Sequence, residues 1–149
     1  MNWHLLSPIA IGKRLPRISR KMPPIEYWTG LAAPWPESTP QVEIAQKYFI
    51  ENGDQGNSTV IGHQIKCSPR TAAFLNGIAG HVCELDDGHR TAIGHPGSIA
   101  VPTALALGEH LNASGADVLK AVILGYEVFS RLGRTVNPSH YRTWHTTGT

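Results

Sequence analysis

The chain of 149 residues has only two cysteines, Cys67 and Cys83. Two are too few for a disulfide scaffold. They fit a reduced, cytoplasmic protein in which both serve as small buried hydrophobes. No run of 18 apolar residues occurs, so no membrane-spanning helix and no membrane partner are expected. Charge is sparse at 16% and nearly balanced, 13 basic residues against 11 acidic, for a net +2. That balance gives no nucleic acid the basic surface it needs. "GNSTVIGH" is glycine-rich but lacks both a P-loop lysine and G-x-G-x-x-G, which argues against a nucleotide. Acid is missing altogether from the first 25 residues, where Lys13, Arg14, Arg17, Arg20 and Lys21 fall. Such a start is similar to a mitochondrial transit peptide, but Pro8 and Pro16 would break its helix, and there is no basic stretch before the apolar part as a secretory signal needs.

The length suits one domain with a real core, and 41% apolar residues exclude disorder by composition. Seven of the 11 prolines lie in residues 1–40. "APWPESTP" can be neither a continuous helix nor a central strand, so residues 1–39 read as poorly organised. From there the pattern predicts an all-α unit over 40–149, with helices near 40–51, 69–83, 98–112 and 115–132. Thr39 caps the first, Pro40 opens it, Val42, Ala45, Tyr48 and Phe49 share its face, and Gly53 ends it. "STVIGHQIK" is a small hairpin or an irregular turn. Ser68-Pro69 starts the second helix, with Ala72, Leu75, Ile78, Ala79 and Val82 buried. Ser98 caps the third, which carries Ile99, Thr103, Ala106, Leu107 and His110 on one side. Ser114 and Asp117 form a capping-box variant ahead of the fourth. Val118, Val122, Gly125, Tyr126, Phe129 and Leu132 make its stripe, and Gly133 stops it. Ala79, Ala100, Ala104, Ala106, Gly108 and Gly125 allow close helix packing.

What the sequence does concentrate is "HVCELDDGHRTAIGHPG", residues 81–97. It sets Glu84, Asp86 and Asp87 among His81, His89 and His95 in a loop broken by Gly88, Gly94, Pro96 and Gly97. A solvated loop is one reading. A metal site is a second, since histidine and aspartate suit zinc, but D-x-H-x5-H matches no dependable ligand spacing. A proton-transfer site is the third. Histidine titrates near neutrality, a carboxylate orients it, and glycines let the backbone approach a ligand. The positive end of a helix opening at His95-Pro96-Gly97 would favour a substrate carboxylate.

Three stretches carry a resemblance: "FLNGIAGHVCELDDGHRTAIGHPGSIAVPTALALGE", then "SGADVLKAVILGYEVFSRLGR", then "WHTTGT". Together they resemble the MmgE/PrpD family over residues 41–149. The family run N-G-x-x-x-H-x-x-D-[FL]-D-D-T-H, then H-P, G-Y-E-V and H-x-T-G-T is met by Asn76-Gly77, His81, Asp86-Asp87, His89, His95-Pro96, Gly125-Tyr126-Glu127-Val128, His145 and Gly148-Thr149. The resemblance implies the first part of a larger helical domain. The family's α/β lid and its later lysine would lie beyond Thr149, and Gly30-Leu31-Ala32 would match a family element near the start. It implies metal-independent and cofactor-free acid–base chemistry on a small polycarboxylate: dehydration, decarboxylation or epimerisation. It also implies a homodimer.

By motif position, Glu84, His95 and His145 are the expected catalytic residues, with Asp87, His89 and Arg90 on the substrate. Glu84 replaces the family's aspartate and Gly88 its threonine, which leaves the branch of the family open. The alternative is a non-catalytic remnant that only folds or pairs with a partner.

Overall fold

A computed structural model describes residues 40–145, so the expectations for residues 1–39, including the Thr39 cap, and for 146–149 lie outside the described residues. The described part is mainly helical, as expected. Helix α1 (Pro40–Glu51) is followed by a two-stranded antiparallel hairpin, β1 (Ser58–Thr59) and β2 (Lys66–Cys67). Then come α2 (Pro69–His81), α3 (Gly97–His110), α4 (Gly115–Val136) and a single 3-10 turn, His140–Arg142. No described helix is long and apolar enough to cross a membrane.

Local chemistry sets most of the boundaries. Gly53 sits at φ 73°, and the N–H groups of Gly53 and Asp54 close back on Ile50 and Phe49, which ends α1. The Ser68 hydroxyl accepts from the Thr71 N–H at 3.3 Å, with Pro69 as the first helical residue of α2. Ser114 accepts from the Asp117 N–H, the cap expected for α4, while the Asp117 carboxylate takes the Ser114 hydroxyl proton at 2.7 Å in place of the backbone N–H that a capping box would use.

Two boundaries differ from expectation. Ser98 does not cap α3; its hydroxyl donates to the His95 carbonyl, and the first N–H of that helix, on Gly97, goes to Asp87 Oδ1 at 3.0 Å. Gly133 does not stop α4. It lies buried inside the helix against Ala92, and α4 runs on until Pro138 forces Asn137 into an extended conformation (φ −88°, ψ 153°).

The core is small. Val60, Cys67, Ala72, Leu75 and Ala106 form it, with Ala45, Phe49, Ile65 and Ala73 packed against it. Full burial of Leu75 alone is worth about 1.5–3 kcal/mol. Two buried polar side chains fasten the hairpin. The Ser58 hydroxyl donates to the Ala106 carbonyl, while Asn76 accepts from the Ile61 N–H and donates to the Thr59 carbonyl. On the rim, Glu109 of α3 accepts from the Thr59 N–H, the Thr59 hydroxyl and Lys66 Nζ, which hold its carboxyl down to about 2. Burial, aided by Asp54, pushes the Cys67 thiol up to about 11, so it is an inert core residue. Cys83 is exposed, against expectation, because it falls just past the end of α2 where the chain turns outward.

The small residues do bring the helices together. A Cβ on Gly77 would lie 2.9 Å from the Ser98 carbonyl oxygen, which has no N–H to meet at Pro102. A Cβ on Gly125 would lie 2.8 Å from that of Ala100. The stripe of α4 is only half-buried, and its Leu132 points outward. So does Tyr48 of α1, whose ring edge meets Phe49. The expected face of α3 is divided: Ala106 is in the core, whereas Ile99 and Leu107 are exposed along a groove beside α2.

Candidate active site

The site is built where α2 ends and α3 begins. Past His81 the chain turns through Glu84, held at φ 49° in the left-handed region that a glycine would occupy more cheaply. The loop then closes on itself. The His89 N–H bonds the Gly94 carbonyl at 2.8 Å, and the Ile93 N–H bonds the His89 carbonyl, with Ile93 at φ 53°. A β-branched residue in that conformation is strained, and surrounding contacts must hold it. They do so through Ala92. It is fully buried, donates its N–H to His89 Nδ1 at 3.1 Å, accepts from Asn137 Nδ2, and packs against Gly133. The end of α4 thus nails down the back of the loop.

Asp86 is the centre of the cluster. Its side chain is wholly buried between two imidazoles. His81 Nδ1 lies 3.1 Å from both of its oxygens, and His95 Nδ1 lies 3.4 Å from Oδ1. The rings of His81 and His95 are 4.6 Å apart at their centroids. On the far side of His95, at 5.8 Å and nearly parallel, lies the ring of His145, which the 3-10 turn brings back from the end of α4. Tyr141 meets His145 edge-on. Residues separated by 64 positions in sequence therefore line one spot.

Asp87 faces the other way. It accepts from the Gly97 N–H and from the Tyr126 hydroxyl, so it ties the start of α3 to α4. Burial raises its carboxyl above the usual carboxylate range despite those two donors. The positive end of α3, expected to attract a substrate carboxylate, is thereby engaged by an internal one. A Cβ on Gly97 would collide with Asp87 and Tyr126.

Of the residues expected in the site, His95 and His145 are together. Glu84 and Arg90 are exposed on the loop, and their side chains make no ion pair or hydrogen bond among the described residues. His89 is half-buried and engaged with the loop backbone. The reading by motif position passed over His81 and Asp86 as site residues. Their signal was the sequence spacing, a histidine five residues before an aspartate across a helix end. His81, Asp86 and His95 each set one donor atom within 4.8 Å of the others, so these three could hold a divalent cation. Beside them an open, largely apolar groove of about 810 Å³ runs between α2 and α3, lined by Phe74, Ile78, Val82, Ile99 and Leu107 with His81 among them. Its lining suits hydrocarbon, and the polar chemistry lies at the histidines.

The family model of the MmgE/PrpD N-terminal domain matches residues 30–149, beginning ahead of the motifs and taking in Gly30-Leu31-Ala32. The chain is 33% identical over 125 residues to a cis-aconitate decarboxylase of Aspergillus terreus, covering 79% of this chain and 24% of that protein. It is 32% identical to a cis-aconitate decarboxylase-like protein of Aspergillus oryzae, covering 78% and 25%. To the human cis-aconitate decarboxylase it is 37% identical over 100 residues, covering 64% and 21%. It thus spans about a quarter of the length of these relatives. A family match over most of the chain, joined to the motif histidines meeting in space, leaves one assignment: the chain belongs to the MmgE/PrpD family.

Proposed function

We propose that this chain supplies the N-terminal part of an enzyme that acts on a small polycarboxylate by metal-independent proton transfer. His95 and His145 are its proton-transferring and carboxylate-holding groups. The observation that carries the reading is the stacking of these two rings, from segments 50 residues apart in sequence, with a buried carboxylate beside the His95 ring. Imidazoles so placed can take a proton in one step and, once charged, balance a carboxylate in the next. Glu84, on its strained turn beside the cluster, is the second acid–base group, and Arg90 is the cation that the outer loop offers to a substrate carboxylate. Asp87 and His89 keep the loop in shape. The cis-aconitate decarboxylases among the relatives make a tricarboxylate the first substrate to try, with 2-methylcitrate and iminodisuccinate beside it.

The test is a titration of the 149-residue chain with cis-aconitate, followed by the ring nitrogen signals of the histidines. His95 and His145 are expected to shift together, and His95→Ala to weaken binding at least tenfold. Saturating cis-aconitate, 2-methylcitrate and iminodisuccinate that leave both rings unmoved would remove the reading and favour a remnant without a substrate.

A further inference from the structure

His81 has no role in the proton transfer assigned so far. It is the last residue of α2, and its half-buried ring rests on Asp86, whose side chain is wholly buried. His81 Nδ1 lies 3.1 Å from each Asp86 oxygen, within hydrogen-bond reach of both. An ionised carboxylate can only accept, so the proton between the two groups sits on Nδ1. Without such a donor the buried carboxylate would be costly. In the neutral ring Nε2 then holds the lone pair. That nitrogen points away from Asp86 across the ring and makes no hydrogen bond among the described residues. His81 also lines the α2–α3 groove, and its ring lies 4.6 Å from that of His95. It stands where the open groove and the histidine cluster meet.

We propose that His81 is a further proton-accepting residue of the site, oriented by Asp86 so that Nε2 is open to a substrate lying at the mouth of the groove. This rests on the polycarboxylate reading above. A C–H next to a substrate carboxylate gives its proton to His81 Nε2. The C–H bond breaks, an N–H bond forms, and the electron pair stays on the substrate, delocalised into the carboxylate. Asp86 balances the imidazolium without moving, because it already accepts from Nδ1–H. The acid in such a pair orients the base and does not itself take the proton. Return of a proton to the substrate restores the neutral ring. His89 shows the contrast. Its Nδ1 accepts from the Ala92 N–H, which engages that lone pair inside the loop.

The experiment follows the CH2 protons of cis-aconitate in heavy water by proton NMR, with the 149-residue chain and with its His81→Gln variant, whose side-chain amide can still donate to Asp86. The expected result is exchange for deuterium about 10²–10⁴ times faster than in buffer holding the same concentration of free imidazole, and a return to the buffer rate in the variant. Exchange at the buffer rate in the wild type, or undiminished in the folded variant, overturns the proposal. The ring nitrogen signals of the titration above give a second reading: Nδ1–H on neutral His81 is expected, and Nε2–H there overturns it as well. Thermal unfolding establishes that the variant is folded. If it is not, carbethoxylation of the wild-type chain by diethyl pyrocarbonate takes its place. Exchange must then fall in step with modification of His81, mapped by peptide mass, and return with hydroxylamine; a loss that follows another histidine refutes the assignment. Exchange that fails while cis-aconitate still shifts His95 and His145 removes His81 alone. A ligand that shifts neither ring and does not exchange removes the polycarboxylate reading, and this proposal with it.

Discussion

Two carboxylates give the chain opposite responses to acid. Burial raises the Asp87 carboxyl, so the folded state binds that proton more tightly than the unfolded chain does. Its contribution to stability is therefore fully present below the ordinary value of 3.8 and falls as pH rises through the raised value. Glu109 is the reverse. Lys66 and Thr59 hold it down to about 2, so its contribution is present above 4.5 and is lost as pH falls toward 2. Glu109 is more than a third exposed, which screens its part. Thermal unfolding between pH 2 and 6 should show Asp87→Asn flattening the decline on the alkaline side and Glu109→Gln flattening the decline on the acid side. An unchanged profile in either variant refutes its part. At this scale the sequence was partly legible. Motif order named His95 and His145, which the fold brings together. It did not distinguish two adjacent aspartates: Asp86 turns into the histidines and Asp87 turns away to Gly97 and Tyr126, a division set by the direction of the loop in space.

Helix starts were legible because a cap is a local event: Ser68-Pro69 and Ser114 with Asp117 each act within three residues. The end of α4 was not. A glycine near the end of a periodic stretch reads as a stop, but Gly133 is there for Ala92, which lies 41 residues earlier and comes close only after folding. The same ambiguity divided α3, where a stripe of apolar residues serves the core at Ala106 and an open groove at Ile99 and Leu107. These contacts make a paired prediction. Gly133→Ala gains helix propensity of about 1 kcal/mol. Its Cβ would lie 2.5 Å from that of Ala92 and 2.8 Å from the Ala92 carbonyl oxygen, which is backbone and cannot swing aside. Overpacking of that kind costs about 1–3 kcal/mol, and it also displaces the loop that carries His95. Gly115→Ala meets nothing within 4 Å and should gain about 0.4–1 kcal/mol. Denaturant unfolding should separate the two in sign; equal shifts would mean that the close approach of Gly133 and Ala92 does not govern packing.

Taken whole, the described part has more apolar surface than its core can use. Leu124, Val128 and Leu132 of α4 are 60%, 56% and 62% exposed and fall on one side of the helix, while the α2–α3 groove opens Phe74 and Ile99 to solvent. A contiguous patch of that kind drives association. Replacing Leu124, Val128 and Leu132 together by Lys should lower self-association by light scattering and change stability by no more than about 0.5 kcal/mol per site. A large loss of stability would show that the face is packed in the free chain. The same openness bears on catalysis. His145 is exposed and His95 is within reach of water, whereas proton transfer next to carboxylates is fastest where water is excluded and several cations surround the growing charge. Each positioned charge stabiliser is worth on the order of 10²–10³ in rate, and the curated relatives align with this chain over only about a quarter of their length. The 149-residue chain by itself is therefore expected to turn over cis-aconitate, 2-methylcitrate and iminodisuccinate far below the enzyme median of about 10 per second, even where it binds them. Turnover at or above that median, abolished by His95→Ala, would show instead that the histidine cluster and its loop suffice for the chemistry.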